Sequence, residues 1–147
     1  MSSYLSGMNV LVTGASDGIG AELAVKLAQN GAGSLILAGR NRSRLEDTAQ
    51  RCKIPCRLVV ADLATSEGVD QLLSEVSGEV IDGLVNNAGV GLGGRFEDLP
   101  LMDQDQMIFL NCQALVRLSH SLLQPMKDRQ KGFILFVGSM IGYAGGP

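Results

Sequence analysis

Charge is scarce in this chain: Asp, Glu, Lys and Arg make up 18% of its 147 residues and leave a net charge of −3. Polyanions are bound by Lys and Arg neutralising many phosphates, so a nucleic-acid partner is not expected. Long apolar runs are missing too. No stretch approaches the span of a bilayer, and Met1 to Met8 has neither a basic flank nor a long apolar core, which predicts a cytoplasmic protein without membrane contact. Cysteine is limited to Cys52, Cys56 and Cys112. The close pair flanks Pro55 with no second pair and no histidine cluster beside it, so the reading is free thiols and no metal site. Linker composition and internal repeats are absent, which leaves one domain over residues 1–147.

What is present is apolar and periodic. Apolar residues make up 46% and mean hydropathy is +0.20, high for a small domain, which predicts apolar surface that belongs against further chain. Short β-branched or Leu-rich runs alternate with amphipathic stretches, the pattern of a parallel sheet with helices on its faces. Strands are expected at Asn9–Thr13, Ser34–Ala38, Arg57–Ala61, Ile81–Asn86 and Phe133–Val137. Helices are expected at Ile19–Asn30, closed by Gly31, at Ser43–Arg51, and at Ser66–Ser77, closed by Gly78. The longest helical pattern runs from Met102 to Arg129, with Met107, Leu110, Ala114, Leu118 and Leu122 on one stripe and Pro125 set to break or kink it. Right-handed crossovers then give a doubly wound, Rossmann-type α/β fold. Its ligand crevice lies where strand order reverses, beyond the first and fourth strands.

The residues at the strand ends carry the chemistry. The first strand runs into Thr13-Gly14-Ala15-Ser16-Asp17-Gly18-Ile19-Gly20. Such glycines allow a tight turn and close backbone approach, while the helix N-terminus offers free amides and a positive dipole end to a pyrophosphate. The spacing is G-x-x-x-G-x-G rather than G-x-G-x-x-G, and a Gly-rich connection without ligand is the alternative reading of this turn alone. Arg40 follows the second strand, where a carboxylate would hold the ribose hydroxyls of NAD. A guanidinium there suits the 2′-phosphate of NADP, or else Arg40, Arg42 and Arg44 simply solvate a loop and helix start. Asp62, with Leu63 after it, closes the third strand beside the same crevice, and Asp62 could equally cap the next helix. Asn86-Asn87-Ala88-Gly89 ends the fourth strand; its amides can tie neighbouring loops, and its small residues leave room for a ribose or nicotinamide. Asn111 interrupts the long helix, where solvent exposure is the plain explanation. Ser139 follows the fifth strand, pointing into the crevice or serving as a turn residue before Gly142 and Gly145.

Taken in order, these motifs resemble the short-chain dehydrogenases/reductases over essentially the whole chain. The resemblance implies a pyrophosphate seat at Gly14, Ser16, Asp17, Gly18, Ile19 and Gly20, and adenine contact at Asp62 and Leu63. Asn87, Ala88 and Gly89 then border the nicotinamide. The family's Asn, Ser, Tyr and Lys set is matched here by Asn111, implied to hold a water, and Ser139, implied to bond the substrate carbonyl or hydroxyl. The family's acid/base Tyr stands about a dozen residues beyond that Ser, with its Lys in a Y-x-x-x-K spacing. No Y-x-x-x-K occurs in this chain, and neither Tyr4 nor Tyr143 has a Lys at the required place. Gly146-Pro147 is similar to the usual approach to that motif, so the expectation is an N-terminal portion, with an exposed fifth-strand edge and an uncovered apolar helix face.

The implied activity is NADP-dependent hydride transfer on a carbonyl or alcohol substrate, NAD being the less favoured cofactor. The longer form is expected to be a homo-oligomer, and the chain as it stands inactive. The alternative is a non-catalytic short form that binds nucleotide or a partner. A methyltransferase with a related sheet is weighed against by the Asn-Asn-Ala-Gly stretch and Ser139. Asp17 also departs from the family pattern, since some NADP-preferring members carry a basic residue at that place.

Overall fold

The computed structural model describes residues 4–140. The expectations placed on Tyr143, on the Gly142 and Gly145 turn and on Gly146-Pro147 lie outside them.

Five strands form one parallel sheet: β1 (Asn9–Thr13), β2 (Ser34–Gly39), β3 (Cys56–Val60), β4 (Gly83–Asn86) and β5 (Phe133–Phe136). Their spatial order is β3-β2-β1-β4-β5. Order therefore reverses between β1 and β4, the place expected from the sequence. Register is in step across the centre, with Leu11 opposite Ile36 on β2 and Leu84 on β4.

Side chains alternate across a strand, so a strand covered on both faces needs an unbroken apolar run. In β1, Val10 and Val12 join Leu35, Leu37 and Val85 on one face, and Leu11 joins Ile36, Val59 and Leu84 on the other. The first face is covered by α1 (Gly18–Gln29) and α2 (Arg42–Cys52); the second by α3 (Ser66–Glu75) and α5 (Ala114–Asp128). Leu11, Leu35, Leu72, Leu84 and Leu118 are almost completely buried. Each such side chain is worth about 1.5–3 kcal/mol on leaving water.

Boundaries differ from the sequence expectation where caps decide them. α1 starts at Gly18, because Asp17 is the residue whose side chain caps it, and it closes on Gly31 (φ 98°) as expected. α3 stops at Glu75, two residues early, with Gly78 (φ 84°) turning the chain just beyond. β4 is shorter than expected and starts at Gly83; Asp82 before it still bonds Asn9 and Phe133 through its main chain, and its carboxylate accepts from the Asn9 amide and faces Arg129 and Lys131.

The long helical stretch begins with α4 (Leu101–Ile108), passes through a π-helical turn at Phe109–Gln113, and continues as α5. The expected stripe holds from Leu110 on, with Ala114 and Leu118 buried and Leu110 and Leu122 packed against the same core, whereas Met107 lies in α4, which buries no residue. Pro125 does not end it. Its missing N–H falls in the last turn, and the helix closes past it with the Arg129 amide on the Pro125 carbonyl. A 3-10 turn at Phe96–Asp98, not expected from the sequence, orders the loop before α4. Leu135 and Phe136 of the edge strand β5 are exposed, as are Ile108, Val116 and Leu123 along the outer side of α4 and α5.

Candidate functional site

The carboxyl ends of the five strands place the expected residues in one row. Asp62 follows β3, Arg40 follows β2, Gly14 follows β1, Asn87 follows β4, and Ser139 lies beyond β5. At about 4.8 Å between strands the row is roughly 19 Å long, the footprint of an extended ligand rather than a compact one.

Its centre is the β1/β4 reversal, held together by Thr13 and Asn87. The Thr13 hydroxyl donates to the Val85 carbonyl (3.1 Å) and accepts from the Asn87 and Ala88 amides (3.0 Å each). The Asn87 side-chain amide returns the link, donating to the carbonyls of Thr13 (3.0 Å) and Gly14 (3.3 Å). Successive strand residues face opposite sides, and the asparagine pair follows this: Asn86 turns from the crevice to donate to Ser119 Oγ on α5 (3.0 Å). Thr13 stood in the glycine motif without a role of its own. The signal available for it was a polar residue at the end of a central, otherwise apolar strand.

The glycine turn fits a phosphate cradle. Gly14 has φ 65°, and a Cβ there would lie 2.9 Å from Ala88 Cα. Gly20 packs so closely on Gly14 that a Cβ would overlap the Gly14 carbonyl. The first helical bond runs from the Ala21 amide to the Asp17 carbonyl (3.2 Å). The Ile19 and Gly20 amides precede that bond, at the positive end of the helix dipole, where an anion is received. The Gly18 amide donates to the Asp17 carboxylate (2.6 Å), whose other oxygen takes a 2.7 Å bond from Arg44. Ile19 is 63% exposed, so it stands over the cradle instead of joining the core.

Arg40 is exposed beside a cavity of about 670 Å³ that Ser16, Asn41, Arg42, Ser43 and Arg44 also line. Among the described residues every arginine except Arg40 and Arg42 is paired with a carboxylate. Arg40 and Arg42 are exposed, while Arg44 reaches across to Asp17. A larger groove of about 830 Å³ runs between α1 and α2 and meets the cradle at Ser16 to Ile19; it holds none of the groups at the β1/β4 reversal.

Asp62 is exposed, and Thr65, not Asp62, caps α3, accepting from the Gly68 amide (3.0 Å). The Asp62 carboxylate instead accepts from the Ala64 amide (3.1 Å), which fixes its turn at the crevice rim. Leu63 buries its side chain in the core with Val69 and Leu72, so a ligand meets it only through the main chain. Asn111 is not simply solvated. Its Oδ1 accepts from the Val90 amide (2.9 Å) and its Nδ2 donates to the Val90 carbonyl (2.8 Å), and the π-helical turn sits at this clamp. A Cβ on Gly89 would lie 3.2 Å from Asn111 Oδ1, so Asn111 closes over the Asn87–Gly89 segment. Ser139 is exposed two residues after Val137, whose amide bonds the Asn86 carbonyl (2.9 Å), which places it on the same rim.

The cysteines stand apart from the row. All three are free thiols. Burial, then the neighbouring Cys52, pushes the Cys56 thiol up to about 12, and burial raises Cys52 as well. Both therefore stay protonated at neutral pH. Among the described residues no three His, Cys, Asp or Glu side chains gather to hold a metal, and no helix is long and apolar enough to cross a membrane.

A parallel sheet whose order reverses at a glycine-rich turn is a Rossmann-type α/β fold. The chain belongs to the short-chain dehydrogenase family, whose model matches residues 8–147. It is 35% identical over 135 residues to an uncharacterised oxidoreductase of Staphylococcus epidermidis, covering 90% of this chain and 58% of that protein. It is 36% identical to an NADP-dependent 3-hydroxy acid dehydrogenase of Schizosaccharomyces pombe, covering 98% of this chain and 60% of the relative. Among solved structures, a short-chain dehydrogenase from Sphingobium yanoikuyae in complex with NADPH superposes with a TM-score of 0.87 at 31% identity, covering 93% of this chain and 55% of that one. The chain thus spans between 55% and 60% of the length of these relatives.

Proposed function

We propose that this protein is an NADP-dependent oxidoreductase moving a hydride between nicotinamide and a carbonyl/alcohol pair. The observation that carries the reading is the row itself: a cradle closed against Asn87 and Ala88, with the unpaired Arg40 one strand away. NADPH bound by the Sphingobium neighbour supports the same choice. The bound cofactor supplies or accepts the hydride. The chain's own groups do the rest: the Ile19 and Gly20 amides hold the pyrophosphate, Arg40 the 2′-phosphate, and Asp62 with the Leu63 main chain the adenine. The small Ala88 and Gly89 leave space for the nicotinamide end. Ser139 bonds the substrate oxygen, and Asn111, while clamping Val90, positions a proton-relay water. The exposed Ile108, Val116 and Leu123 support self-association of the protein through α4 and α5.

These 147 residues contain no Tyr-x-x-x-Lys, and loss of general acid/base chemistry costs about two to four orders of magnitude in rate. The 147 residues alone are therefore expected to bind NADPH, read by quenching or enhancement of its fluorescence, without oxidising it in the presence of simple ketones. Rapid carbonyl-dependent NADPH oxidation by them would overturn the assignment of the missing chemistry. Absence of NADPH binding would overturn the cofactor.

A further inference from the structure

The Asp17 carboxylate occupies a place where a negative charge looks counterproductive. One oxygen accepts the Gly18 amide at the N-terminus of α1, and the other accepts Arg44 Nη1 across the cleft. It therefore bridges an amide at the helix end of the glycine turn and a guanidinium, Arg44, that lines both the α1/α2 groove and the cavity beside Arg40. Arg44 lines the same cavity as Arg40, Ser16 and Ser43. Its main chain is already anchored, because the Asn41 side chain caps α2 by accepting the Arg44 amide (3.1 Å) and the Ser43 hydroxyl (2.9 Å). Only its guanidinium end is committed to Asp17.

We infer that Asp17 is a resident anion of the cofactor pocket: binding exchanges its carboxylate for the 2′-phosphate, and Arg44, once released, becomes the second guanidinium on that phosphate beside Arg40. This rests on the NADP reading above and adds a residue pair that sets how strongly the 2′-phosphate is preferred. The exchange is feasible because the pair is exposed, 59% for the Arg44 side chain and 73% for Asp17. Exposed pairs of this kind shift an equilibrium by no more than about fivefold, whereas a phosphate dianion offers a guanidinium a forked, charge-assisted contact. Arg44 gains by the trade, and Asp17 turns to solvent.

The test is calorimetric titration of NADP+ and NAD+ into the protein and its variants. Asp17→Asn keeps a good helix cap and removes the charge. It is expected to tighten NADP+ by about three- to fivefold while changing NAD+ by less than about twofold. Arg44→Gln is expected to weaken NADP+ by about fivefold or more with NAD+ little changed, and in that background Asp17→Asn is expected to leave the NADP+/NAD+ ratio where it was. A ratio unmoved by Asp17→Asn, or a gain that persists without Arg44, overturns the exchange. Arg40→Gln separates the two levels. If it abolishes the NADP+ preference while the Asp17 and Arg44 variants do not alter it, the exchange fails and the cofactor reading stands. If the unaltered protein prefers NAD+, both fall.

Discussion

The Thr13 hydroxyl meets three main-chain groups, the Val85 carbonyl and the Asn87 and Ala88 amides, so its loss strands donors at the edge of the core. Thr13→Val keeps the shape and removes the oxygen. It is expected to cost about 1–3 kcal/mol, against about 1 kcal/mol or less for Thr13→Ser. Urea midpoints for the two variants check this, and equal values would mean that the hydroxyl is not the tie. At this scale the positions of the candidate residues were partly legible. Gly14, Asp17, Arg40 and Asn87 could be placed along the crevice because their places follow from where strands end and helices begin. The Asp17–Arg44 pair was not legible, because its members are 27 residues apart and neither is unusual in its own segment. Asp62 was misjudged as a possible cap for a local reason: Thr65, three residues on, takes that role with better access to the Gly68 amide.

Among the elements, the stretch from α4 to α5 shows what periodicity can and cannot report. The apolar stripe sets which face meets the sheet, and it was read correctly. The π-helical turn at Phe109–Gln113 was not visible, because its companion is a tertiary clamp between Asn111 and Val90, 21 residues away. Asn111→Ala removes both bonds of that clamp, and hydrogen exchange at the Val90 amide is expected to rise by up to about tenfold. Asn111→Asp keeps the acceptor for that amide and is expected to raise it less. Exchange measured by mass spectrometry on peptides spanning Val90 distinguishes the two, and an unchanged rate in the Ala variant would make the clamp incidental. Caps account for the shifted ends of α1 and α3, where Asp17 and Val76 move the boundary by one or two residues.

For the whole molecule, the doubly wound layout with its reversal between β1 and β4 was legible from the alternation of strands and helices. An uncovered apolar helix face was expected, but which residues form it was not legible, since Ile108, Val116 and Leu123 read in sequence like any other apolar positions. If that face joins copies of the protein, Val116→Lys combined with Leu123→Lys is expected to lower the sedimenting mass to that of one chain, while the unaltered protein sediments as a dimer or larger. Equal sedimentation of the two would remove α4 and α5 from the interface. The floor of the crevice joins Thr13 to Asn87 across 74 positions of the chain, and contacts so distant in sequence form slowly compared with a helix or a turn. The glycine turn and its helix can take shape early in refolding, yet no pocket exists until β1 and β4 lie side by side. Under the proposed function, recovery of nucleotide affinity is expected to mark the moment at which the centre of the sheet closes.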